Sequence, residues 1–202
     1  MAYRSQKNAI RSLAGLAATQ GGYFTAKQAE ESGYSFPHLV YHLKAGNFER
    51  AGHGLYRIPT LPISEHDDLV RLSLWSRGRD DQPQAVVSHQ TALGLYDLGE
   101  LIPGEIHLTV PPLFRKRPPK GCRLHRRTLN AEQSKGMFGF RVTTPHRTLE
   151  DLAADASISD EQFEKAVAAA MSRGMIRRSA AKALLAKRMD DQPPTPKAVA
   201  RR

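Results

Sequence analysis

Glycine and proline punctuate the first 59 residues so closely that only short elements fit between them. Gly21-Gly22, Gly33, Gly46, the Gly52/Gly54 pair and Pro59 each interrupt a helix or end a strand. Within residues 5–19, Ile10, Leu13, Ala14, Leu16 and Ala17 recur at helical spacing, with Ser5 available as cap. "GGYFT" breaks that helix, and Thr25 can cap a short second one over "AKQAEES". "SFPHLVYHLKAG" predicts a third helix, with Ser35 as cap, Pro37 in the first turn and Gly46 as stop. "NFERA" and "GLYRIP" then read as two short strands joined by a tight turn. Helix, helix, turn, helix and hairpin, in that order, predict a winged helix-turn-helix.

The glycines of "AGHGLYRIP" raise a second possibility, a loop that cradles phosphate. Neither glycine-rich phosphate motif fits, since no lysine followed by Ser or Thr and no third glycine opening a helix is present. The alternating strand that follows suits a hairpin whose glycines take positive φ. His53 then tops a wing flanked by Arg50 and Arg57, where arginines would meet the DNA backbone without reading sequence.

Charge supports a polyanionic partner. The chain carries 30 Lys and Arg against 20 Asp and Glu, a formal +10. Residues 1–60 hold seven basic against three acidic groups, and residues 111–150 hold ten against two. Residues 61–110, with three against eight, are acidic. The basic charge therefore sits in two blocks, a distribution that favours nucleic acid. Arg115, Lys116, Arg117, Lys120, Arg123, Arg126 and Arg127 crowd "RKRPPKGCRLHRR", an extended loop and strand that form a candidate second basic surface. A solvated loop is the competing reading.

No apolar run is long enough to span a bilayer, and no signal peptide is recognisable, so a cytoplasmic protein without membrane association is expected. Cys122 is the sole cysteine, which excludes an internal disulfide and a cysteine-based zinc cluster.

Beyond residue 60 the pattern changes to mixed strands and helices. "DDLVRLSLWSRG" predicts a helix; "AVV" predicts a strand, followed by a helix capped by Ser88. "EIHLTV", "CRLHRRTL" and "FGFRVTT" predict strands. Helices follow from Thr144 and Pro145, from a capping box between Ser159 and Gln162, and over "SAAKALLAKRM". The proline-rich end is expected to be disordered. The expected fold is α+β, with a winged helix-turn-helix over 1–60, a small mixed sheet packed with helices over 61–189, and a tail over 190–202.

The helix from Ser35 is the strongest candidate for chemistry. A helical wheel gathers Phe36, Leu39, Val40 and Leu43 on one side and His38, Tyr41 and His42 on the other. Those three, with Ser35 and Lys44 at the margins, could hydrogen-bond to phosphates or base edges in a major groove. Thr25 and Gln28 on the preceding helix join them as candidate DNA contacts. "HLVYH" is also an i, i+4 histidine pair able to share a metal, with His53 as a distant third ligand. Leu39 stands where a metallohydrolase places its glutamate, so no metal site is assigned.

His89, His107, His125 and His146 are scattered over the second region. No Gly-x-Ser-x-Gly elbow accompanies them, and no Asp-x-Lys or Glu-x-Lys strand motif occurs. Isolated histidines at such positions serve as structural hydrogen-bond partners, so no catalytic residue, metal or cofactor is expected.

"GLYRIP", "VSHQTALGLYDL", "IPGEIHLTVP", "LHRRTL" and "VTTPHRTLEDLA", in that order, resemble AbiEi-type proteins, antitoxins of type IV toxin–antitoxin systems. The resemblance runs from about residue 5 to 175. It implies a winged helix-turn-helix that binds double-stranded operator DNA and represses its own operon. It further implies a second domain that counteracts a co-encoded nucleotidyltransferase-like toxin, without necessarily touching it. The implied recognition helix falls on 35–46 and the wing on 48–58, in agreement with the residue-level reading. A stand-alone winged-helix regulator and a nuclease-related accessory protein remain as alternatives.

Overall fold

A computed structural model describes residues 2–99, 104–155 and 157–190. Its first part is built from α1 (Ala2–Ala18), β1 (Tyr23–Thr25), α2 (Ala26–Glu31), α3 (Phe36–Lys44), β2 (Glu49–Gly52) and β3 (Leu55–Arg57). The three strands form an antiparallel sheet in the order β1-β3-β2. This is the order and topology of a winged helix-turn-helix.

Local chemistry explains most of these boundaries. The Thr25 hydroxyl accepts the Gln28 N–H while the Gln28 side chain accepts the Thr25 N–H, a reciprocal cap that starts α2. Gly54 takes φ +64° in the wing turn, a conformation costly for a side chain; Gly52 does not take positive φ. Two expectations shift. The first helix begins at Ala2, so Ser5 lies inside it rather than capping it. "GGYFT" does more than end a helix, because Tyr23–Thr25 pair with β3 as the third strand.

A small apolar cluster of Leu13, Ala17, Phe24, Ala29, Tyr34, Leu39, Phe48 and Tyr56 holds this part together. Phe24 is fully buried between the edge of Phe48, at 4.9 Å, and the stacked ring of Tyr56, at 5.7 Å.

The second part contains α4 (Asp67–Trp75), β4 (Val86–Val87), α5 (His89–Leu95), β5 (Ile106–Val110), β6 (Cys122–Arg126), β7 (Ser134–Met137) and β8 (Phe140–Thr143). It ends with α6 (Pro145–Ala153), α7 (Asp160–Ser172) and α8 (Arg178–Asp190). Its sheet runs β6-β5-β4-β8-β7, with β5–β6 and β4–β8 parallel and the other pairs antiparallel. The fold is therefore α+β, a winged helix-turn-helix followed by a mixed sheet among helices. β7 lacks the alternating β-branched pattern that would announce a strand, and pairing with β8 creates it. Thr144 and Ser159 cap α6 and α7 as their spacing predicts. Ser88 occupies the cap position of α5 but makes no capping bond. Asp190 closes α8, and the rest of the expected tail lies outside the described residues.

A larger apolar cluster fills this part, from Leu69 and Val70 of α4 to Leu184 of α8. Tyr23 belongs to it although β1 lies in the first part, and its hydroxyl donates to Asp67 at 3.0 Å. Arg77 donates to Gln20 at 2.6 Å, which is itself bonded to Gln28. The β7–β8 turn presses against the end of α1: a Cβ at Gly139 would lie 2.8 Å from the Thr19 carbonyl. Among the described residues, no helix is long and apolar enough to cross a membrane.

Candidate nucleic-acid interface and a buried histidine cluster

α3 presents Ser35, His38, Tyr41 and Lys44 to solvent and turns Leu39 into the small core. Tyr41 is 65% exposed and Phe36 is 74% exposed, so Phe36 belongs to the outer surface rather than to the apolar side of the wheel. His42 does the reverse. Its ring packs 4.9 Å from Phe48 and 5.4 Å from Tyr34, and Asn47 lies 3.1 Å from its Nδ1. Burial, with His38 nearby, lowers its pKa.

Thr25 and Gln28 are committed to the α2 cap, and Gln28 is buried with its amide facing Gln20. In the wing, His53 and Arg50 are exposed, with Arg50 Nε reaching the Gly52 carbonyl at 3.4 Å. Arg57 is half-buried and donates to the Leu61 carbonyl, which ties β3 to the following segment.

The wing turn and the basic loop share a cavity of about 790 Å³, lined among others by Gly52, His53, Arg71, Arg77, Lys116 and Lys120. Lys116 donates to the Trp75 and Arg77 carbonyls at 2.7 and 2.8 Å, capping the end of α4, and burial lowers its pKa. Arg115, Arg117, Lys120, Arg123 and Arg126 are exposed, while Arg127 lies 3.8 Å from Asp151. Arg147 makes the closer pair with Asp151, at 2.6 Å. Phe114, buried against Trp75, anchors the loop between β5 and β6.

The histidines of the second part are not isolated. His89 at the start of α5, His107 on β5 and His125 on β6 bring one ligating atom each within 4.8 Å of one another. The His89 and His125 rings stack at 3.5 Å, and His125 Nε2 lies 3.2 Å from His107 Nδ1. His89 Nδ1 lies 2.9 Å from the Ser88 hydroxyl, which accepts the Thr109 hydroxyl proton at the same distance. Desolvation first, then the neighbouring histidines, push His89 and His125 down to about 4. Burial and Arg123 lower His107 as well. His146 stands apart on the exposed face of α6. This convergence replaces the expectation of scattered structural partners. A spacing of 18 residues between successive histidines carries no local periodic signal. The parallel β5–β6 register sets His107 opposite Arg123 and His125 opposite Thr109, which leaves the two histidines as diagonal neighbours. The His38–His42 pair gains no third ligand, since among the described residues this is the group of three that qualifies.

Residues 11–59 match the family described as "Transcriptional regulator, AbiEi antitoxin". Among solved structures, the RV2827C protein from Mycobacterium tuberculosis is similar at 20% identity, over 90% of this chain and 81% of that one, with a TM-score of 0.45. No curated protein matches. The N-terminal part is thus similar to the regulatory domain of AbiEi-type antitoxins.

Proposed function

We propose that this protein is a winged-helix regulator that binds double-stranded operator DNA upstream of its own operon and represses it. The observation that carries the reading is the outer face of α3, where Ser35, His38, Tyr41 and Lys44 stand exposed on the helix that enters a major groove in this topology. Arg50 and His53 of the wing would lie along the backbone, with Lys120 and Arg117 of the neighbouring loop extending the positive surface. The same reading makes the second part the antitoxic half of a type IV pair, which counteracts a co-encoded nucleotidyltransferase-like toxin. The family match over 11–59 supports the regulatory half of this reading.

The test is binding to the DNA upstream of the gene, measured by fluorescence anisotropy against a scrambled duplex. A Kd about 10³-fold or more tighter for the natural fragment is expected of a specific regulator. Equal affinity for both duplexes would remove the operator reading. Rescue of growth on co-expression with the product of the adjacent gene tests the antitoxic half separately.

A further inference from the structure

We infer that His89, His107 and His125 form a binding site for one zinc ion. The site lies in the second part, away from the α3 face, and is independent of the DNA reading.

The first argument is distance. Two ligands about 2.05 Å from a tetrahedral zinc stand about 3.3 Å apart. His107 Nδ1 and His125 Nε2 are 3.2 Å apart, so one edge of such a coordination shell is already formed. His89 stacks on His125, and its ligating atom lies within 4.8 Å of both others. A tilt of the His89 ring out of the stack closes the triangle.

The second argument is the support around the ligands. Ligating histidines usually hold their second nitrogen to a hydrogen-bonding partner, which sets ring orientation. His89 Nδ1 has the Ser88 hydroxyl, which Thr109 in turn orients. His107 is anchored by its place in the β4–β5–β6 ladder, and its backbone N–H donates to the Thr91 hydroxyl at 2.8 Å. Among the described residues, no hydrogen bond reaches His89 Nε2, His107 Nε2 or His125 Nδ1. Among the described residues no histidine nitrogen is both fully buried and unpartnered, so the free ring nitrogens retain contact with solvent, from which an ion would enter.

The third argument is backbone strain. His89 has φ +51°, a left-handed conformation that costs a non-glycine residue about 1 kcal/mol or more. It sits at the first residue of α5, directly after Ser88.

Three imidazoles without thiolate suit zinc, and they leave a fourth position open. Asp155 acts electrostatically on all three histidines, and Glu105 acts on His107 as well. The ligand set is neutral, so a bound ion keeps its full charge and polarises whatever fills that position.

The experiment uses the full chain without an affinity tag, stripped with chelator and dialysed against zinc chloride. Elemental analysis should give one zinc per chain, and cobalt(II) loading should give the visible bands of a tetrahedral site. His125→Ala, at the half-buried position, should weaken zinc binding by more than about 100-fold, because the loss of a mere orienting partner costs 10–100-fold. His146→Ala should leave uptake unchanged. Where His125→Ala fails to fold, ring-nitrogen NMR of the unaltered protein replaces it, with zinc expected to shift His89, His107 and His125 alone. Absence of stoichiometric zinc in the unaltered chain overturns the inference. So does uptake that persists in His125→Ala, uptake lost instead in His42→Ala, or ring shifts confined to His38 and His42.

Discussion

Asp151 shows how much one buried side chain can decide. Its carboxylate is 1% exposed and accepts two bonds from the largely buried Arg147, with Arg127 farther off. Burial raises its pKa, and the hydrogen bonds and charge of Arg147, with Arg127 behind, oppose the shift. Asp151→Ala should cost about 3 kcal/mol by urea unfolding, because it leaves the largely buried guanidinium with Glu150, at 3.3 Å, as its remaining carboxylate partner. The arginines of the wing divide differently. Arg50→Ala should flatten the dependence of log K on log salt by about one unit. Arg57→Ala should leave that slope unchanged and lower stability by about 1 kcal/mol, since its guanidinium serves Leu61. On α3, His38→Ala combined with Tyr41→Ala should erase preference for the natural operator while weak, salt-sensitive binding persists. Anisotropy titrations at several salt concentrations separate the three results.

α2, at six residues, is too short to persist without its cap and its packing. Thr25→Ala removes the acceptor for the Gln28 N–H and should cost about 1 kcal/mol. It should also weaken operator binding, because α2 and the turn after it set the angle at which α3 leaves the core. Thermal melts and titrations on the same sample check both effects. α8 depends on a comparable device at its far end. Arg188 donates to the carbonyls of Leu152, Ala153, Asp155 and Ile158 and pairs with Asp160, fastening α8 over the α6–α7 connection.

At the scale of the molecule, Tyr23, Gln20 and Gly139 join the two parts. The histidine cluster makes the stability of that assembly depend on pH. His89 and His125 titrate near 4 when folded and near 6.5 when unfolded, with Arg123, Arg127 and Arg147 opposing their charging and Asp155 favouring it. Between those limits the unfolded chain binds more protons, so stability is complete above about pH 6.5 and is lost as pH falls towards 4. Each histidine contributes up to about 1.4 kcal/mol per pH unit in that window. Urea unfolding of chelator-treated protein at pH 7.5, 6 and 5 should show the fall, and His125→Gln should reduce it.

Much of the fold was legible where its signals are local. Gly33, Gly46 and the Gly52/Gly54 pair cut the chain where the structure turns, and Thr25, Thr144 and Ser159 cap the helices that follow them. Caps and turns depend on neighbours within a few residues, which any sequence displays. The faces of α3 were legible only in part. A wheel placed Phe36 inside and His42 outside, whereas Phe48, brought from beyond the helix by β2, draws His42 inward and leaves Phe36 in solvent. β1 and β7 escaped notice because strands of three and four residues carry too little periodicity and exist through their partners. The histidine cluster is the extreme case. Residues 89, 107 and 125 meet because one helix start and two parallel strands converge, and pairing between distant segments is decided by tertiary packing alone.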